Sequence, residues 1–134
     1  MSQDSYGFVG LGNMGGPMAA NIAAAGHDLV VYDIAGSAAR IPNGARIASS
    51  IEDLATNARS VFLSLPDGSA SLDVAHKLSG AREKRTATVI ELSTIGISAA
   101  RQLHRLLADA TIEYIDTPVS GGTAGAHAGT VTLM

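Results

Sequence analysis

The chain has 134 residues, 46% of them hydrophobic and 16% charged, with a formal net charge of -3 and no cysteine. This length suits one domain, residues 1–134, with a core of its own, and the composition is far from that of a disordered segment. Without cysteine there is neither a disulfide framework nor a thiolate metal site.

The first predicted element is the apolar strand Tyr6-Gly7-Phe8-Val9, which runs straight into glycines at positions 10, 12 and 15. This is the G-x-G-x-x-G spacing, and each glycine has its own task. Gly10 permits a tight turn, Gly12 lets backbone approach a pyrophosphate, and Gly15 lets the following helix pack on the strand. Met14, Met18, Ile22 and Ala25 then recur at helical spacing, and Gly26 supplies a stop. The N-terminus of that helix stabilises an anion through unpaired N–H groups and the dipole, with no cationic side chain required.

Leu29-Val30-Val31-Tyr32 reads as the second strand, ending at Asp33. Strand, glycine turn, helix and strand thus fit in about thirty residues, one βαβ unit. An acidic residue roughly 20 positions past the glycines is expected to accept hydrogen bonds from the adenosine ribose hydroxyls. A carboxylate there repels the extra phosphate of NADP, Ile34 adds no charge and Arg40 is the nearest cation along the chain, so NAD is the expected cofactor. The alternative reading makes Asp33 a helix cap near Ala35.

The alternation continues. Gly44 to Ala48 suggests a short strand, and Ser49 or Ser50 caps a helix through Leu54 to Ala58, with Glu52 and Asp53 in its first turn. Val61 to Leu65 is an apolar strand closed by Pro66-Asp67-Gly68, and Ser69 to Leu78 a helix with Leu72, Ala75, His76 and Leu78 near one face. Thr88 to Leu92 is the next strand, closed by Ser93-Thr94. A helix over Ser98 to Ala108 turns Leu103, Leu106 and Leu107 inward and Arg101 and Arg105 outward, and Ile112 to Asp116 is a further strand. Such alternation predicts an α/β fold of the Rossmann type: a doubly wound, mostly parallel sheet with helices on both faces. Ligands in such sheets bind beyond the carboxyl ends of the strands, which singles out Gly10 to Gly15, Asp33, Leu65 to Asp67, Ser93-Thr94 and the segment from Pro118 onward.

In that last segment, Ser120-Gly121-Gly122 offers one hydroxyl and unobstructed N–H groups suited to a carboxylate, although glycine-rich stretches after strands are often plain loops. Nine Lys and Arg, of which only Arg82, Lys84 and Arg85 lie close together, make no basic stripe, so nucleic acid is not an expected partner. His27, His76, His104 and His127 lie far apart, and no metal is indicated. No apolar run has the length of a membrane span. The opening residues Met1 to Ser5 carry no positive charge, which makes the cytoplasm the expected location.

The stretch Phe8-Val9-Gly10-Leu11-Gly12-Asn13-Met14-Gly15-Gly16-Pro17-Met18-Ala19-Ala20-Asn21-Ile22 resembles the N-terminal signature of the β-hydroxyacid dehydrogenases, the family of 3-hydroxyisobutyrate dehydrogenase and tartronate semialdehyde reductase. Leu65-Pro66-Asp67, Ser93-Thr94-Ile95 and Asp116 to Gly122 follow in that family's order and approximate spacing. The resemblance implies hydride transfer between NAD and a short hydroxy acid. It sets Leu11, Gly12, Asn13 and Met14 along the pyrophosphate, Asp33 on the ribose, Leu65 and Pro66 beside the adenine half, Thr94 near the nicotinamide ribose, and Ser120, Gly121 and Gly122 around the substrate carboxylate. It also implies a catalytic lysine and asparagine on a helix leading to an all-helical second domain, beyond the last residue of this sequence. Lys77 and Lys84 read as members of a solvated face, and His127 stands at a position the family leaves variable. The expectation is therefore an NAD-binding portion without turnover of its own, prone to self-association where apolar surface is uncovered. The alternative is a short non-catalytic NAD-binding or oligomerising module.

Overall fold

The computed structural model describes residues 4–35 and 41–134; Arg40 lies outside the described residues. In chain order the elements are β1 (Ser5–Val9), α1 (Gly15–Ala24), β2 (Asp28–Tyr32), β3 (Arg46–Ile47), α2 (Ile51–Asn57), β4 (Ser60–Leu63), α3 (Gly68–Gly80), β5 (Thr88–Glu91), α4 (Ile97–Asp109), β6 (Glu113–Asp116), β7 (Val119–Ser120), α5 (Gly122–Ala128) and β8 (Thr132–Leu133). The first six strands form one sheet in the order β3-β2-β1-β4-β5-β6, every pairing parallel. This is the doubly wound order, in which the chain reverses direction across the sheet between β1 and β4.

Side chains alternate across the sheet as a strand's period of two requires. Val9, Val30, Val61, Leu63 and Val89 point to one face, where Leu54 of α2, Ala75 and Leu78 of α3, and Leu103 and Leu107 of α4 cover them. Phe8, Leu29 and Val31 point to the other and meet Met18 and Ala19 of α1 and Ala126 of α5. Phe8 and Phe62 stack with ring centroids 5.7 Å apart. Each fully buried Leu or Phe is worth about 1.5–3 kcal/mol, so two such faces hold the sheet without any disulfide.

The caps follow sequence chemistry. Ser50 accepts from the Asp53 N–H at 2.9 Å to begin α2, and Asp67 accepts from the Ala70 N–H at 2.9 Å to begin α3. Several boundaries differ from the sequence expectation. Ala25 is exposed beyond the end of α1, and His76 is exposed on α3, where Ser71 rather than His76 shares the buried stripe with Ala75 and Leu78. The third apolar strand stops at Leu63, since Ser64 and Leu65 turn off toward the cleft described below. The glycine-rich end is no plain loop: β7 and β8 pair antiparallel as a small second sheet with α5 between them.

Glu91 ends β5 fully buried. Ser71 Oγ donates to it at 3.0 Å and Tyr114 Oη at 3.3 Å, and among the described residues it has no cation. Burial pushes its carboxyl above the ordinary 4.5, against the pull of hydrogen bonds from Ser93, Ser71 and Tyr114. The folded state therefore keeps a proton that the unfolded chain releases above about pH 4.5. Stability from this group is complete below that value and is lost as pH climbs through the raised one. Burial shifts Asp116 the same way. Urea unfolding at pH 5 and pH 8 is expected to show native stability falling with pH and Glu91→Gln falling less; parallel declines would refute this account.

Candidate dinucleotide-binding site

The reversal between β1 and β4 opens a crevice at the carboxyl ends of those strands, and the glycine turn fills its floor. Gly10 has φ +100°, and a Cβ there would overlap the Ser64 carbonyl oxygen on the neighbouring chain segment. A Cβ on Gly15 would overlap the Gly10 carbonyl oxygen and crowd Phe8 Cε1 at 3.1 Å. Gly15 is thus demanded by the loop's own carbonyl as well as by the strand. Gly12 differs in kind, because a Cβ there meets nothing within 4 Å. Among the described residues no contact requires a glycine at position 12, which leaves the approach to its backbone open.

Among the described residues the N–H groups of Gly12, Asn13 and Met14 have no protein acceptor. They lie at the start of α1, where unpaired donors and the helix dipole favour an anion. Pro17 sits in the first turn of α1, where its missing N–H costs nothing.

Asp33 is fastened to this loop. Its Oδ2 accepts from the Leu11 N–H at 2.6 Å and its Oδ1 from the Ala35 N–H at 2.8 Å. The Ala35 bond is a local turn contact, and the helix of the capping alternative would lie outside the described residues, while the Leu11 bond spans 22 residues and joins the end of β2 to the glycine turn. A carboxylate has about four acceptor sites, so two remain for hydroxyls. Asp33 lines a cleft of about 420 Å³ with Gly10, Gly12, Tyr32, Leu65 and Pro66. Leu65 is held there by its N–H, which donates to Ser93 Oγ at 2.7 Å.

A second cleft, about 590 Å³, lies on the other side of the same turn, between Leu11, Gly12, Asn13 and the start of α1 on one wall and Thr123 and His127 of α5 on the other. Gly12 and Asn13 line both clefts. The structure therefore brings together Gly10 to Gly15, Asp33, Leu65 and Pro66. Thr94 is exposed just after β5 and lines neither cleft, and Ser120, Gly121 and Gly122 are exposed at the β7–α5 junction next to Thr123. Lys77 was read as part of a solvated face; it is exposed, yet it lines the first cleft with Asp73. It lies nearly three helical turns along α3 from the capping Asp67. Asn21 donates from Nδ2 to the Ala126 carbonyl at 2.7 Å and so ties α1 to α5, a tertiary role the signature alone did not disclose. No group of metal-ligating side chains occurs among the described residues, and none of their helices is long and apolar enough to cross a membrane.

Residues 5–134 match the family described as the NAD binding domain of 6-phosphogluconate dehydrogenase. The chain belongs to this family. Among curated relatives, the NAD-binding domain is 34% identical to the 2-(hydroxymethyl)glutarate dehydrogenase of Eubacterium barkeri, over 96% of this chain and 44% of that protein. It is likewise 34% identical to the mitochondrial 3-hydroxyisobutyrate dehydrogenase of Rattus norvegicus, over 99% of this chain and 41% of that one. A solved 3-hydroxyisobutyrate dehydrogenase of Mycobacterium tuberculosis with L-serine superposes with a TM-score of 0.87 at 33% identity, covering 99% of this chain and 46% of the other. The NAD-binding domain thus spans less than half the length of these relatives.

Two alanine substitutions separate the tasks of the glycines. Gly15→Ala is expected to destabilise the fold by about 1–3 kcal/mol through overpacking. Gly12→Ala should leave the melting temperature unchanged while weakening NAD binding at least about tenfold, because a methyl group projects into the anion's path. Equal loss of stability in both variants would contradict the open space over Gly12.

Proposed function

We propose that this NAD-binding domain serves an oxidoreductase that moves a hydride between NAD and a short hydroxy acid. The observation that carries the reading is the bare approach over Gly12, flanked by unpaired N–H groups and by Asp33. A bound nicotinamide supplies the hydride donor or acceptor. The chain's own residues then divide the work: the N–H groups of Gly12, Asn13 and Met14 hold the pyrophosphate, Leu65 and Pro66 flank the adenine half, and Thr94 faces the nicotinamide ribose. Ser120, Gly121 and Gly122 receive the substrate carboxylate. The acids named for the relatives share one unit, a carboxylate and a primary carbinol on the same carbon, and that unit defines the substrate class proposed here.

The acid and base of the reaction must come from elsewhere. Lys77 lines the adenosine cleft, and Lys84 Nζ donates to the Ser79 carbonyl at 3.2 Å on the far end of α3; neither stands near Ser120. Lack of a general acid costs on the order of 10²–10⁴ in rate. Residues 1–134 should therefore bind NAD and fail to turn over 3-hydroxyisobutyrate, serine or tartronate semialdehyde. NAD reduction by this chain alone would overturn the division of labour, and failure to bind NAD would overturn the reading itself. The second reading, a binding or self-associating module without catalysis, draws on exposed Ile97 and Ile115, which lend apolar surface. Addition in trans of the remainder of a longer gene product, with activity restored, would decide for the enzyme.

We also propose NAD over NADP, because a carboxylate at the end of β2 repels the extra phosphate of NADP. Asp33→Ala should weaken NAD binding at least about tenfold, through lost ribose bonds and a loosened Leu11. Asp33→Asn keeps one acceptor oxygen, so it should bind NAD and NADP nearly alike, and Asp33→Arg should prefer NADP. Unchanged NAD preference in all three, measured by titration with each nucleotide, would remove Asp33 from this role.

A further inference from the structure

We propose that His127 is a pH-dependent contact for the diphosphate of the bound dinucleotide, reaching it across the second cleft; this rests on the reading of the glycine turn as the diphosphate cradle. The site is built rather than incidental. β7 and β8, which flank α5, pair with each other, and the Met134 N–H donating to the Pro118 carbonyl at 2.9 Å extends that pairing. α5 is fixed sideways by the Asn21 bond to Ala126. Thr123 and His127 lie one turn apart on α5 and so share a face. That face lines the cleft opposite Leu11, Gly12 and Asn13, and among the described residues the acceptor-free N–H groups of Gly12 and Asn13 mark the anion's position.

The charge environment is simple. The turn from Gly10 to Met14, α1, β7 and β8 contain no titratable side chain, and α5 contains none but His127. The nearest acid joined to the turn is Asp33, which lines the other cleft and is engaged by the Leu11 and Ala35 N–H groups. A histidine side chain ordinarily changes charge between pH 5 and 8, whereas a diphosphate diester keeps its charge throughout. Cofactor binding then gains a cation as pH falls. Because His127 is exposed, the gain is that of a screened, partly solvated pair.

Titration of the chain with ADP-ribose, which carries the diphosphate but no nicotinamide, and with adenosine, which carries neither, tests this at pH 5.5, 6.5 and 8. Native affinity for ADP-ribose should rise about three- to tenfold from pH 8 to pH 5.5, with adenosine unchanged. His127→Gln should lose the rise, and His127→Lys should hold the higher affinity at pH 8. The same rise in native chain and His127→Gln, or a rise for adenosine as well, overturns the proposal while leaving the dinucleotide reading in place. No ADP-ribose binding at any pH overturns both.

Discussion

The backbone carbonyls of Gly10 and Ser64 occupy space that a Cβ at Gly15 and at Gly10 would need. This double close approach sets the path of the chain from β1 into α1 and its distance from β4. Everything at the carboxyl end of the sheet follows from it. With β1 and β4 adjacent and their helices departing to opposite faces, the turn cannot be covered by either helix, and its donors stay open to solvent. A larger residue at Gly15 would push α1 off the sheet and pull Met18 and Ala19 from the core they share with Phe8 and Val31, and one at Gly10 would press the turn away from the segment after β4.

Around that turn the surface is divided by chemistry. One cleft carries a fixed carboxylate, an apolar shelf of Leu65 and Pro66 and the ammonium of Lys77. The other carries a hydroxyl and an imidazole on α5. The shared residues Gly12 and Asn13 make the two clefts one continuous path for an elongated ligand with a charged middle and different ends. The uncharged character of α1 matters as much as any side chain, since it leaves the anion's surroundings to backbone dipoles and His127.

Much of this was legible in the sequence where local rules govern. Near-continuous apolar runs, buried on both faces, located five strands of the main sheet, and the period of 3.6 located four of its helices; the short strand at Arg46–Ile47 falls within the stretch from Gly44 to Ala48 without any apolar stripe of its own. The glycine spacing disclosed the turn and its ligand because three constraints of different origin coincide there. The clasp between Asp33 and Leu11, the Asn21–Ala126 bond and the burial of Glu91 were not legible. Each depends on residues brought together from different elements, and polar side chains look alike in sequence whether they meet solvent or another segment. Ser71 illustrates the limit: it reads as a surface serine on an amphipathic helix, yet it is buried against Glu91. The β7–β8 sheet escaped for another reason, since its two short strands flank a glycine-rich stretch that reads as a loop.

The Asp33 clasp bears on how the site receives its ligand. A carboxylate tethered by two backbone donors has already lost most of its rotamer freedom during folding, so little side-chain ordering is left for association. A ligand with hydroxyl donors then meets a surface with its acceptors aligned in advance. The thermodynamic signature of such preorganisation is a modest entropic penalty on binding and an on-rate limited by encounter rather than by loop rearrangement.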